Sequence, residues 1–327
     1  MRIVFMGTPT FAVPTLQQLL KTEISVVGVV CQPDRPSGRG KKVQMSPVKA
    51  LALSQNIPVV QPEKMKSPQL METLRTWDPD LVVVAAFGRI LPKTILDLPS
   101  KGCLNVHGSL LPKYRGAAPI QWAVMQGEVK TGVTIMLMDE GMDTGAILQQ
   151  EVIPIGPDET SGELASRMAQ VGGALLVRTL RGWIAGTLTP LAQDNSAATL
   201  APILTKEDGL MSWGQPARCL ANRIRGLSPW PGVYTFLEGA RWGIWKVHVE
   251  EQEPGILNTD HDTPRAPGTI IAFTKQAIRV QTGQGCLNLL EIQPENKKRM
   301  HVSDYLAGHR VTLGMTFSMG KQDDCAV

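Results

Sequence analysis

The chain has 327 residues, 43% of them hydrophobic and 19% charged, with a formal net charge of +4 and a pI near 8.8. That is enough chain for two domains with real cores, and the mild positive charge admits an anionic partner without requiring one. No stretch approaches the roughly 18 apolar residues of a membrane span, and the scattered Cys31, Cys103, Cys219, Cys286 and Cys325 include no C-x-x-C pair, which argues against a zinc site or a disulfide framework. Reduced thiols and the absence of a secretory apolar run at the N-terminus fit a cytoplasmic protein.

In chain order, Arg2 to Met6 reads as a buried strand ending at Gly7. A helix pattern follows over Phe11 to Leu20, then an apolar run from Ile24 to Val30. Strand, glycine turn, helix, strand opens a parallel α/β unit. Only Gly7 stands in the turn, so the G-x-G-x-x-G fingerprint of dinucleotide binding is missing. Cys31 to Lys49 then carries Arg35, Arg39, Lys41, Lys42 and Lys49 against the single acid Asp34. Its prolines and glycines predict an irregular basic loop at the carboxyl end of a strand, where open α/β sheets bind ligands. A solvated surface loop and a polyanion contact are equally open on the residues alone.

Helices are expected over Pro47 to Gln55 and Pro68 to Trp77, with a short strand at Pro58 to Val60 between them. Asp80 to Phe87 is fully apolar after its first residue and suits the centre of a parallel sheet. A brief helical piece, Ile95 to Leu98, and a short strand, Cys103 to Val106, lead into NVHGSLLPKYRGAAPI, Asn105 to Ile120. A helix should begin near Pro119. Thr131 to Met138 and Ala146 to Ile153 form a hairpin-like pair around the acidic turn Asp139 to Gly145, and Ser161 to Leu180 is a long amphipathic helix.

From Gly186 to Ala201 the composition turns small, polar and proline-bearing, which reads as a linker. Beyond it a helix over Gln215 to Leu227 precedes five short strand candidates, at 233–237, 243–249, 269–272, 277–282 and 286–292, as in a small oligonucleotide-binding-type (OB-like) β-barrel. Glu250 to Pro267 reads as a long irregular loop, Lys297, Lys298 and Arg299 as a basic patch, and the chain from Met315 onward as a frayed tail. The expected fold is therefore a Rossmann-like, mostly parallel α/β domain (1–189), a linker (190–207) and an OB-like barrel (208–327).

Asn105, His107 and Asp143 come from the ends of two strand candidates. An amide can donate to a developing oxyanion. An imidazole can stabilise the same charge or move a proton near neutral pH, and a carboxylate can accept a proton and orient the ring. No serine has the G-x-S-x-G context of a nucleophile, so direct transfer between two substrates fits better than a covalent acyl-enzyme. Each residue taken singly has an ordinary structural explanation, as a strand-end amide, a satisfied buried histidine or a turn aspartate. A metal site or a two-carboxylate glycosidase has less support, because no matching ligands or acids accompany them.

The stretches LNVHGSLLPKYRGAAPIQWAV and GVTIMLMDEGMDTGAIL closely resemble the formyltransferase family that uses 10-formyltetrahydrofolate. The resemblance implies an active site of Asn105, His107 and Asp143 and a folate-binding loop of Ser109, Leu110, Leu111 and Pro112. IVFMGTPTFAVPTL and the basic loop resemble the members that formylate methionine on initiator methionyl-tRNA, and NRIRGLSPWPGVYT and GCLNLLEIQPENKKRM extend the likeness over nearly the whole chain. It implies 10-formyltetrahydrofolate as co-substrate, no metal, no membrane partner and a monomer, with Arg39, Lys41, Lys42, Lys297, Lys298 and Arg299 as candidate tRNA contacts. Glu250 to Pro267 is longer than the family suggests, and the last dozen residues match no pattern. A formyltransferase or hydrolase with a small-molecule acceptor, and a non-catalytic folate- or RNA-binding protein, are the alternatives.

Overall fold

The computed structural model describes residues 1–37, 42–250 and 265–320. In chain order its first elements are β1 (Arg2–Gly7), α1 (Val13–Leu20), β2 (Ser25–Val30), β3 (Arg35–Ser37), β4 (Lys42–Gln44), α2 (Pro47–Ser54), β5 (Val59–Val60), α3 (Pro68–Trp77) and β6 (Leu81–Ala85). They continue with α4 (Lys93–Leu96), β7 (Cys103–His107), β8 (Arg115–Gly116), α5 (Pro119–Met125), β9 (Lys130–Leu137), β10 (Ile147–Pro154), α6 (Ser161–Ile184) and β11 (Leu200–Ala201). Two compact units result, one of residues 1–120, 129–155 and 163–203, the other of residues 121–128, 156–162 and 204–327.

The first unit is built on a seven-stranded sheet of order β10-β9-β7-β6-β1-β2-β5. The five strands from β7 to β5 are parallel, while β9 runs antiparallel to both β7 and β10. The order reverses at β1, which lies between β2 and β6, so the ligand crevice belongs at the carboxyl ends of these strands. Leu70 and Leu74 of α3 and Ile95 of α4 pack with Val4, Met6, Val82, Val84 and Cys103 on one face. On the other face α6 comes close because of paired glycines. A Cβ on Gly172 would stand 2.9 Å from Val106 Cγ1, and one on Gly173 2.9 Å from the Pro14 carbonyl. Side chains alternate along a strand, so β7 gives Val106 to the α6 face and Cys103, Asn105 and His107 to the other.

Two segments are more ordered than their composition predicts. The basic loop contains a short antiparallel hairpin, β3 with β4, in which Pro36 pairs with Val43. An isolated two-stranded ladder has free edges on both sides, so a residue without an N–H is tolerated there. Ser46 and Ser67 cap α2 and α3, their hydroxyls accepting from Lys49 N and Leu70 N, with proline at the next position. The second segment is the expected linker. Its β11 pairs in parallel with β8, and Arg115 N and Ala118 N donate to the Thr199 and Ala201 carbonyls.

The second unit contains α7 (Ala217–Gly226), β12 (Val233–Leu237), β13 (Ala240–Glu250), β14 (Ile270–Phe273), β15 (Ile278–Gln281), β16 (Cys286–Pro294), β17 (Met300–His301), α8 (Val302–Leu306) and β18 (Phe317–Ser318). The strands follow the order β14-β15-β16-β13-β12-β18, with β17 beside β16. The expectation of a frayed tail from Met315 is corrected here for residues 315–318. Phe317 is buried and stacks on Trp213 with ring centroids 5.3 Å apart. Ile270 N donates to the Met315 carbonyl and Phe317 N to that of Gly268, while β18 pairs with β12. Residues 314–318 thus join β14 to β12, the two outer strands, and close the sheet as an antiparallel barrel. The physical reason is burial of one large aromatic ring in an otherwise polar stretch. Residues 251–264 of the long loop and 321–327 of the tail lie outside the described residues.

Candidate active site

Asn105 and His107 leave β7 on one face, and the turn between β9 and β10 brings Asp143 to them. Asn105 Nδ2 donates to Asp143 Oδ1 at 3.4 Å, and His107 Nδ1 lies 3.6 Å from Asp143 Oδ2. Both contacts are long, which leaves the amide and the ring nitrogen room to engage a substrate atom. His107 is only 5% exposed, whereas Asn105 and Asp143 are partly open. The other ring nitrogen, Nε2, is 3.0 Å from the Tyr114 carbonyl. A carbonyl oxygen only accepts, so Nε2 carries a proton and Nδ1 is the face turned toward Asn105 and Asp143.

The groups that hold this trio are largely backbone. Gly116 N donates to Asp143 Oδ2 at 2.9 Å. Tyr114 has φ +61° and Asp143 φ +55°, a left-handed conformation that an aspartate adopts readily and a tyrosine rarely. In Tyr114 that conformation accompanies a carbonyl aimed at His107 and an N–H donated to Thr199 Oγ1 at 2.8 Å. None of this was legible in the sequence, because backbone groups leave no residue-type signature. Gln193, in the polar segment after α6, also contacts the Asp143 turn.

The Ser109 to Pro112 segment is mostly committed to the fold. Ser109 is fully buried, its Oγ donating to the Lys113 carbonyl at 2.6 Å. Leu111 is buried with Met136 and Ile147, and its N–H donates to Thr134 Oγ1. Leu110 and Pro112 remain partly exposed. A cleft of about 470 Å³ lies along the acidic turn, lined by Lys93, Leu96, Asp97, Met138, Asp139, Glu140 and Gly141. Lys93 pairs with Asp97 and Glu140, each at 3.3 Å.

Two thiols of this unit sit in or near the sheet and are poor nucleophiles. Burial pushes Cys31 up to about 11 and Cys103 up to about 12, so neither offers thiolate near neutral pH. Among the described residues no cluster of three or more His, Cys, Asp or Glu could hold a metal, and no helix is long and apolar enough to cross a membrane.

The basic candidates are dispersed. Arg39 and Lys41 lie outside the described residues, and Lys42 stands in β4. Lys49 is consumed at the base of the hairpin, where its Nζ lies 2.5 Å from Asp34 Oδ2 and 2.6 Å from Gln61 Oε1. The bond from Lys49 holds the Asp34 carboxyl below its usual range. In the second unit Lys298 is exposed, Lys297 Nζ is 2.6 Å from His309 Nε2, and Arg299 pairs with Glu291 at 2.6 Å while lying over Trp245.

Residues 1–180 match the formyl transferase family model, and residues 203–310 match the model of the formyl transferase C-terminal domain. The chain is 50% identical over 313 residues to the methionyl-tRNA formyltransferase of Trichlorobacter lovleyi, covering 96% of each chain. It is 49% identical over 311 residues to that of Desulfotalea psychrophila, covering 95% of this chain and 94% of the relative. The chain belongs to the methionyl-tRNA formyltransferase family. Its fold is also that of an N-formyltransferase from Helicobacter canadensis solved with folinic acid and dTDP-3-aminofucose, with a TM-score of 0.63 and 18% identity over 91% of this chain and 99% of that one.

Proposed function

We propose that this formyltransferase moves the formyl group of 10-formyltetrahydrofolate to the α-amino group of methionine on initiator methionyl-tRNA by direct attack. The observation that carries the mechanism is the convergence of Asn105, His107 Nδ1 and Asp143 beside the carboxyl end of β7. The neutral amine forms the new C–N bond at the formyl carbon. Asn105 Nδ2 and a protonated His107 Nδ1 donate to the oxyanion that results. The bond from carbon to the folate nitrogen then breaks. The proton lost by the amine reaches that nitrogen through Asp143, directly or by one water.

Folate would lie against Leu110 and Pro112, the exposed part of its expected loop, with the cleft along the acidic turn as the neighbouring recess. The first unit carries the chemistry, and the barrel supplies an electrostatic contact to the tRNA. We read the enzyme as a cytoplasmic monomer, which sedimentation of the purified protein would check. The deciding experiment compares formylation of initiator and elongator methionyl-tRNA with 10-formyltetrahydrofolate. Product on the initiator alone supports the reading, and no product on either overturns it.

Of Lys297, Lys298 and Arg299, Lys298 is exposed, Lys297 lies against His309, and Arg299 would have to leave Glu291 to meet phosphate. Lys298→Ala should therefore weaken tRNA binding and reduce the salt slope by about one. Arg299→Ala should change the slope less. Equal slopes in Lys298→Ala and the wild type, measured by titration across salt concentrations, would remove this patch from the tRNA surface.

A further inference from the structure

Gln193 lies in the segment whose composition reads as a linker, yet all of its amide valences are used at the active site. Nε2 donates to the carbonyls of Asp143 at 2.9 Å and Gly145 at 2.7 Å. Oε1 accepts from Arg115 Nε at 3.1 Å and Nη2 at 2.8 Å. An amide has two N–H groups and two lone pairs, so this one is saturated. Its orientation is also fixed, since the flipped amide would set oxygen against two carbonyls and N–H against a guanidinium. Asn195 Oδ1 accepts a further bond from Arg115 Nη2 at 2.8 Å.

The same segment reaches Asp143 a second time. Leu200 and Ala201 pair with Arg115 and Gly116, and Gly116 N holds the Asp143 carboxylate. Its Thr199 also fixes Tyr114, whose carbonyl meets His107. Both left-handed residues of the site, Tyr114 and Asp143, are therefore pinned by residues 193–201. For a bulky residue such as Tyr114 that conformation persists only when the surroundings over-determine it.

We propose that residues 193–201 are a strap belonging to the active site, and that Gln193 is a positioning residue that sets the Asp143 turn against Asn105 and His107. The inference rests on the role given above to Asp143. Gln193 touches no reacting atom and acts through the Asp143 and Gly145 carbonyls.

The test uses the full chain with Gln193→Met, which keeps the volume, and Gln193→Glu, which keeps an acceptor for Arg115 but offers no N–H to the two carbonyls. Both variants should lose about 10- to 100-fold in kcat, as expected when a catalytic group is misplaced, with KM for both substrates within about threefold. In an Asp143→Asn background, Gln193→Met should add little, because the two residues act as one unit. The ring-nitrogen NMR resonances of His107 at fixed pH should move in Gln193→Met as they do in Asp143→Asn. A Gln193→Met enzyme with at least half the wild-type kcat overturns the strap, as does a full multiplicative loss on top of Asp143→Asn. An active Asp143→Asn enzyme overturns the role of Asp143 instead, and the His107 resonances then judge the strap alone: unmoved, they overturn it.

Discussion

Asn105→Ala and His107→Ala are each expected to lower kcat for formylation by at least about 100-fold while leaving tRNA affinity nearly unchanged. The amide and the ring supply separate donors from one strand, and neither donor is spent on a short bond in the free enzyme. Their benefit is therefore realised when charge develops on the formyl oxygen, so the loss should fall on kcat. His107 also anchors the partly buried Tyr114 carbonyl, so its removal frees that acceptor as well. His107→Ala should accordingly lose some thermal stability, and Asn105→Ala should not. Single-turnover rates with saturating tRNA and formylfolate would check this. Turnover above half of the wild-type value in either variant would sink the assignment.

Gly116→Ala should damage the site from outside it. Gly116 has φ +123°, a region that side-chain-bearing residues rarely adopt, and an added Cβ would stand 2.6 Å from the Ala201 carbonyl oxygen. Backbone cannot swing aside as a flexible side chain can. Either β8 parts from β11 or Gly116 changes conformation, and in both cases its N–H leaves Asp143 Oδ2. The strain amounts to about 1–3 kcal/mol. The displaced carboxylate should cost about 10- to 100-fold in kcat. Calorimetry together with steady-state kinetics measures both. A variant that melts and turns over as the wild type does would show that β8 does not hold Asp143.

The parallel sheet was legible because its strands are apolar runs punctuated by glycine and proline, and Pro68–Trp77 and Pro119–Met125 began where proline suits a first helical turn. The meeting of Asn105, His107 and Asp143, the trio proposed for catalysis, was legible because it is made by side chains on and beside strands. What supports the trio was not. Tyr114 contributes a carbonyl and Gly116 an N–H, groups that every residue but proline possesses. Gln193 sits among alanines, prolines and small polar residues, and its importance comes from partners roughly 50 and 78 positions earlier. The hairpin at β3 and β4 was hidden by Pro36, and the ordered end of the barrel by a single phenylalanine in a polar stretch. Local composition reports whether a segment can bury surface, and one well-placed ring or amide outweighs it.

The closing of the barrel by residues 314–318 has a consequence for how this unit is made. Until those residues are in place, the Phe236–Leu237 end of β12 and the outer edge of β14 present unpaired backbone donors and acceptors, and Trp213 lacks its stacking partner Phe317. Their sealing strand, β18, comes after every other described strand of this unit in chain order. A barrel made in chain order is therefore an open sheet until residues 314–318 are available, and its closing depends on a pairing between segments far apart in sequence.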